Sequence, residues 1–236
     1  MRIARSILLF LQGVALARSI PVVVHDGHST AVDNQNIDNV ETVYFAAGCY
    51  WSVELAFQRL PGVLETSVGF AGGSTTLPTY DRVVEGNTGH AETVEVIFNT
   101  RVVSFPELLR VFFSLHDPTT KNRQGGDVGT QYRSAIFATT PEQYKTAQAY
   151  IETYQNTLSR PIVTEITENP VYTRAAEYHQ QYLEKLGQSS MKGALSPIRC
   201  YGNRGPWKQI KKSVHDLFQR KVGVDTPPIG QNHEEF

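Results

Sequence analysis

Thr42-Val-Tyr-Phe-Ala-Ala-Gly-Cys-Tyr-Trp-Ser-Val-Glu-Leu-Ala-Phe-Gln-Arg-Leu-Pro-Gly-Val63 changes its periodicity twice. Thr42–Ala47 is a short apolar run of strand length, and Gly48-Cys49 turns the chain. Trp51–Leu60 then places Val53, Ala56, Phe57 and Leu60 on one helical face, until Pro61-Gly62 ends the helix and Val63–Phe70 returns as a strand. Outward from this β-α-β unit, a Gly-rich loop over Ala71–Gly89 leads to the alternating strand Ala91–Asn99. Ser104 and Glu107 form a capping box ahead of a helix carrying Leu108, Leu109, Phe112 and Leu115. A second long loop, His116–Thr130, precedes a strand over Tyr132–Ala138. Thr140 and Gln143 cap another helix, with Pro141 tolerated in its first turn. Ile162–Thr167 reads as a strand and Thr173–Leu186 as a helix. The order β-α-β-β-α-β with additions predicts an α+β fold with a ferredoxin-like split βαβ core, extra helices and two long loops free to build a site.

The whole chain has 236 residues, with 22 Lys and Arg against 23 Asp and Glu. That length suits a single domain with appendages. The near-neutral balance argues against a nucleic-acid partner, which would want a basic surplus. Two Cys exclude a disulfide-rich scaffold and a four-Cys zinc site. Arg2 and Arg5, the apolar run Ile7–Ala17 and the exit Ala17-Arg18-Ser19 make residues 1–19 a secretory signal peptide, which favours a secretory or extracellular destination. The apolar run is too short for an ordinary membrane span, so the mature chain is expected to be free of the membrane. Because no acidic residue precedes Asp26, a transit peptide to a mitochondrion or other organelle is the rival reading. Removal of residues 1–19 would leave 19 basic residues against 23 acidic ones. Residues 20–40 are polar and aperiodic and read as a linker, 41–206 as the domain, and 207–236 as a C-terminal extension with a helix over 208–222.

Cys49 follows a strand and a glycine and directly precedes a helix, where free N–H groups and the helix dipole favour a thiolate. The ordinary alternative is a small buried hydrophobe. On the strand 91–99, Glu92 shares a face with Val94, Val96 and Phe98. Either it points into the core, where burial would raise its pKa into the range of a general acid, or it turns into water at the strand's end. Tyr80 lies in the first long loop, and Tyr132 shares a strand face with Ser134 and Ile136. His90 or His179 could pair with Cys49 as in a cysteine hydrolase, or could serve as ordinary structural hydrogen-bonding groups. Cys200 stands in an irregular tail, free to meet another sulfur or to be a spectator.

Together these stretches resemble the A-type peptide methionine sulfoxide reductases. The resemblance is carried in order by Gly48-Cys-Tyr-Trp51, Leu60-Pro-Gly-Val63, Val68-Gly-Phe-Ala-Gly-Gly73, Pro78-Thr-Tyr80, Thr88-Gly-His-Ala-Glu92, His116-Asp-Pro-Thr119, Asp127-Val-Gly-Thr-Gln-Tyr-Arg-Ser134 and Tyr178-His-Gln180. It implies that Cys49 is the nucleophile and Glu92 the acid. Tyr80 and Tyr132 would hold the sulfoxide oxygen, Asp127 would complete the polar wall, and Tyr50 and Trp51 would cradle the S-methyl group. It further implies reduction of the S epimer of methionine sulfoxide, free or in oxidised proteins, through a sulfenic acid and then a disulfide reduced by a thioredoxin-like dithiol. No cofactor or metal is implied, and the chain is expected to work as a monomer.

Three positions depart from the family pattern. Tyr50 stands where the motif usually has Phe, and Ala176 where it has Glu, which removes a supporting hydrogen bond. The tail Lys192–Gly202 resembles plant-type members but has Ala194 at a position where they carry a further Cys, which leaves Cys200 as the resolving thiol. Two other classes stay open at this level: a Cys-His hydrolase or acyltransferase, and a protein that binds oxidised methionine without turnover.

Overall fold

The computed structural model of the chain describes residues 39–200. The signal or transit segment 1–19, the linker up to residue 38, the domain's end at 206 and the extension 207–236 with its expected helix 208–222 lie outside the described residues. Strand β1 (Val40–Ala47) leads into helix α1 (Tyr50–Gln58), and β2 (Val63–Ala71) follows; a short helix α2 (Tyr80–Val84) precedes β3 (Ala91–Asn99) and helix α3 (Phe105–Leu115). A two-strand hairpin, β4 (Arg123–Gln124) and β5 (Asp127–Val128), leads to β6 (Ser134–Ala138), helix α4 (Pro141–Gln155), β7 (Glu165–Glu168), β8 (Thr173–Arg174) and the single turn α5 (Tyr182–Lys185).

The main sheet runs β7-β6-β1-β3-β2-β8, antiparallel except for the parallel pair β6–β7. The fold class is α+β. One strand intervenes in two of the connections: β3 lies between β1 and β2, and β1 lies between β3 and β6, whereas β6 and β7 are neighbours joined through α4. Helices α1 and α3 cover one face, where Phe45 of β1 stacks at 5.0 Å on both Phe57 and Phe112. Each such ring, fully removed from water, contributes about 1.5–3 kcal/mol, and Val43, Val94, Val96 and Phe98 extend the same cluster. Helix α4 joins through Phe113, whose ring stacks on Tyr150 at 5.4 Å. The alternate residues of β1 face the other way: Ala46 packs with Ala71, Ala91, Ala135 and Phe137.

The sequence-level caps form. The N–H and hydroxyl of Ser104 both donate to Glu107 Oε2, at 2.8 and 2.9 Å, and Gln143 N–H donates to Thr140 Oγ1 at 3.1 Å. Four local expectations change. The Gly-rich loop contains α2, the second loop contains the β4–β5 hairpin, and the strand expected at 162–167 occupies Glu165–Glu168. Tyr132 is not on a strand: Thr130–Tyr132 is a single 3-10 turn, because Gly129 adopts a φ of +144° and its carbonyl accepts from Tyr132 N–H at 3.0 Å.

The segment 173–186 is also not one helix. Thr173 and Arg174 pair with Phe70 and Gly69 at the edge of β2, and Ala175 N–H donates to Val68 O at 2.9 Å. The buried Gln180 side chain accepts from Val68 N–H at 2.7 Å and donates to Val68 O at 2.9 Å, and Gln181 takes a left-handed φ of +48°. Helical periodicity in this stretch gives way to pairing with β2. The result for the site is topological. The C-terminal ends of β1 and β2 and the starts of β3 and β6 come to one end of the sheet: Ala47 opposes Ser134, and Phe70 opposes Glu92. Both long loops open there.

Candidate active site

Cys49 occupies the N-cap of α1, reached through Gly48, whose φ of +91° suits glycine. A Cβ on Gly48 would also stand 2.7 Å from the Gln124 side chain, so this turn is closed to larger residues. The first free N–H of α1, that of Tyr50, donates to Glu92 Oε2 at 3.0 Å. Glu92 is 2% exposed and takes the inward option that its strand face offers. Burial pushes its pKa up to about 8, partly opposed by the Tyr50 N–H bond and reinforced by nearby Asp127 and Cys200. Burial therefore favours the protonated form of Glu92 near neutral pH.

Around these two groups, Cys49, Tyr50, Trp51, Tyr80, Glu92, Asp127 and Tyr132 line one cavity of about 90 Å³, room for a group of a few heavy atoms. The carriers of the two phenols are tied together. Gln131, next to Tyr132, donates through Nε2 to Val84 O at the end of α2, which begins with Tyr80. Burial moves Tyr80 up to about 12 and raises Tyr132 as well, so both stay protonated and can donate. Asp127 sits on the β4–β5 hairpin, and desolvation raises its carboxyl above the ordinary range. Cys200 is not part of the cavity lining; its Sγ lies 3.2 Å from Cys49 Sγ, on a buried residue 7% exposed.

These contacts oppose the thiolate that the helix start favours. Cys49 is raised well above the usual thiol range, first by the thiol–thiol contact with Cys200, then by burial and by Glu92. The Trp51 N–H at the helix start works in the opposite direction and is outweighed. The helix terminus is real, but one of its N–H groups is spent on Glu92.

The histidines do not form a pair with Cys49. His90 accepts from Gly73 N–H through Nδ1 and bonds Thr75 O through Nε2 at 2.8 Å, which fixes the loop leading to Tyr80. His179 packs its ring against Tyr50, Trp51 and Tyr80, at centroid distances of 5.7, 5.7 and 4.4 Å, with neither nitrogen hydrogen-bonded among the described residues. Sequence reasoning missed this role as a wall behind the aromatic lining; the only signal was the Tyr178-His-Gln180 run itself. Trp51 is further stacked on Tyr182 at 3.9 Å. Ala176, where the family pattern has Glu, is exposed at the start of a 3-10 turn.

The hydroxyl that Tyr50 adds is buried and unpartnered among the described residues. Leaving such a group without a bond costs about 1–3 kcal/mol. Tyr50→Phe is therefore expected to raise the unfolding free energy in urea titration; a loss of stability instead would mean that the hydroxyl is satisfied by an ordered water.

A family model described as peptide methionine sulfoxide reductase matches residues 41–207. The chain belongs to this family. It is 53% identical to peptide methionine sulfoxide reductase A4, chloroplastic, of Oryza sativa subsp. japonica, over 69% of this chain and 64% of that one. It is 52% identical to peptide methionine sulfoxide reductase A1 of Arabidopsis thaliana, over 67% and 81% respectively. Among solved structures, methionine sulfoxide reductase A of Corynebacterium diphtheriae is similar with a TM-score of 0.62 and 38% identity, over 75% of this chain and 89% of that one. Reduced Mxr1 from Saccharomyces cerevisiae gives 0.61 and 32%, over 70% and 92%. Peptide methionine sulfoxide reductases are oxidoreductases. Among the described residues of this one there is no cluster of metal-ligating side chains, and no helix is long and apolar enough to cross a membrane.

Proposed function

We propose that this chain reduces the S epimer of methionine sulfoxide, free or in oxidised proteins, to methionine. The observation that carries the reading is the placement of a thiol and a protonated, fully buried carboxyl group on one small cavity whose other walls are aromatic rings and phenols. A sulfoxide sulfur is a poor electrophile until its oxygen takes a proton or a strong hydrogen bond. Glu92 supplies that proton, with Tyr80 and Tyr132 donating to the same oxygen, Asp127 on the polar wall, and Tyr50 and Trp51 against the S-methyl group. Cys49 sulfur attacks the substrate sulfur, and collapse releases the thioether. The substrate sulfur gains two electrons, Cys49 loses two, and the oxygen ends on Cys49 as a sulfenic acid.

Cys200 then attacks the oxidised Cys49 sulfur, the S–O bond breaks and water leaves, so that each turnover ends in a disulfide that an external thioredoxin-like dithiol must reduce. No organic cofactor enters this sequence. Because the Cys49 thiol is raised well above the usual range, it gives up its proton as it attacks. The Cys-His hydrolase reading loses its support from the separate engagements of His90 and His179. For localisation, relatives named as chloroplastic in Oryza sativa and Arabidopsis thaliana favour an organelle over the secretory destination read from residues 1–19.

The test is turnover of a racemic methionine-sulfoxide peptide by purified residues 20–236, with dithiothreitol and then with thioredoxin. Consumption that stops at half the substrate is expected. No consumption with either reductant would remove the reductase reading and leave binding without turnover.

A further inference from the structure

The two thiols rest on unequal supports. Cys49 is fixed by β1 and α1, whereas Cys200 lies on a strap whose described residues, 188–200, contain no helix or strand. Even so, the sulfurs lie 3.2 Å apart across 151 positions of sequence. Ile198 is buried in the core and Lys192 Nζ donates to Gln58 O and Val63 O, and two further side chains outside the catalytic cavity hold the strap on either side of them.

The first is Arg59, which follows α1 and is fully buried. Its Nε donates to Ser189 O at 2.8 Å, Nη1 to Ser196 O at 2.6 Å and Nη2 to Ser196 Oγ at 3.2 Å, and its own carbonyl accepts from Gly193 N–H at 2.7 Å. Among the described residues no carboxylate lies within ion-pair distance of it. A buried guanidinium without a counter-ion must hold its neutral acceptors, and charge-assisted bonds of this kind are about twice as strong as neutral ones. The planar fork fixes both ends of the loop 189–196 at once, a geometry that an ammonium group cannot copy. The second side chain is Gln188, whose Nε2 donates to Arg199 O at 2.6 Å while its Oε1 accepts from Arg199 N–H at 2.9 Å. The residue before Cys200 is thus clamped through both backbone groups.

We propose that Arg59 and Gln188 are positioning residues that hold Cys200 against Cys49 and set the rate of disulfide closure. The inference rests on the reductase reading for its biological use. The step itself is thiolate attack by Cys200 on the sulfenic sulfur of Cys49: an S–S bond forms, the S–O bond breaks, and the departing hydroxide leaves as water. The Cys200 sulfur is oxidised by one electron equivalent and the sulfenic sulfur reduced by one. A thiol on an untethered strap would meet Cys49 at the millimolar effective concentrations of a flexible linker, far below those of a held pair.

The experiment uses the full reduced chain and generates the sulfenic acid with one equivalent of hydrogen peroxide, so that closure is read without any sulfoxide. Dimedone capture by mass spectrometry reports the open sulfenic acid, and thiol loss reports the disulfide. Closure in Arg59→Met is expected to slow about 10-fold or more, in Gln188→Ala about threefold, and in Arg59→Lys by an intermediate factor. Thioredoxin-supported turnover should fall in proportion. Dithiothreitol-supported turnover should stay within about twofold, because a small dithiol reduces the sulfenic acid directly. If Arg59→Met does not fold, Gln188→Ala and Arg59→Lys carry the test. Unaltered closure in the folded variants, or an equal loss with both reductants, would overturn the proposal. Slowed closure in a protein that reduces no methionine sulfoxide would sustain the positioning role and sink the proposed function instead.

Discussion

Glu92→Gln is expected to lower turnover of a methionine-sulfoxide peptide by about 10²–10⁴-fold, the span usual for loss of a general acid. The amide keeps an oxygen for the Tyr50 N–H and has no proton of comparable acidity to give. In the unaltered enzyme the acid must be protonated, so the rate should fall as pH rises through about 8, the value to which burial moves Glu92. In the variant that descending limb should disappear. Stability carries a second signature. A carboxyl group whose folded pKa lies above its unfolded value keeps a proton that the unfolded chain has lost, so stability falls as pH rises from 4.5 to about 8. By pH 7 this costs about 3 kcal/mol. Urea titrations at pH 5 and pH 7 should show the decline shrinking by that order in Glu92→Gln, with a residual decline from Glu54, another buried carboxyl raised to about 7. An unchanged pH dependence of both rate and stability would mean that Glu92 is ionised in the folded protein.

Cys200→Ser is expected to lower thioredoxin-supported turnover about 100-fold or more, because an exchangeable disulfide can no longer form. Turnover with dithiothreitol should persist, and dimedone should capture one sulfenic acid per chain after a single cycle. Full thioredoxin-dependent turnover would show that another route resolves Cys49. The same substitution removes the contact that contributes most to the raised Cys49 pKa. Alkylation of Cys49 by iodoacetamide should consequently reach its half-maximal rate at lower pH in the variant.

The parts of the molecule legible in sequence are those set by local rules. The alternation Ala91–Asn99 gives a strand with those bounds, and Ser104 with Glu107 and Thr140 with Gln143 begin the helices that their side chains suggest. Tyr132 and residues 173–186 depart from their periodicity for two reasons: Gly129 closes a turn just before Tyr132, and the distant edge of β2 captures 173–174. The site shows the same division. Cys49 and Glu92 announce themselves by their places at a helix start and on a strand face, whereas nothing local separates Tyr80 and Tyr132 from the other tyrosines, and only family resemblance singled them out. Arg59 gave no signal at all. Between Gln58 and Leu60 an arginine reads as the solvated end of a helix, and its burial depends on a strap more than 120 residues away in sequence.

The pairing of Gln180 with Val68 bears on how this protein keeps company. An open strand edge is a row of unsatisfied amides that any extended chain can join, and the usual defences are short strands, charge or a covering segment. At Val68 the edge of β2 is finished by a side-chain amide that answers the N–H and the C=O of one residue, just beyond the two-residue strand β8. On the opposite flank β7 has four residues, two of them Glu. If the substrates include oxidised proteins, as proposed above, some of them are partly unfolded by damage, and such chains are the ones most apt to add themselves to a sheet. With Gln180 on Val68, and Gln181 Nε2 on Thr66 O, this edge would offer such a chain no continuous row of free amides and carbonyls to join.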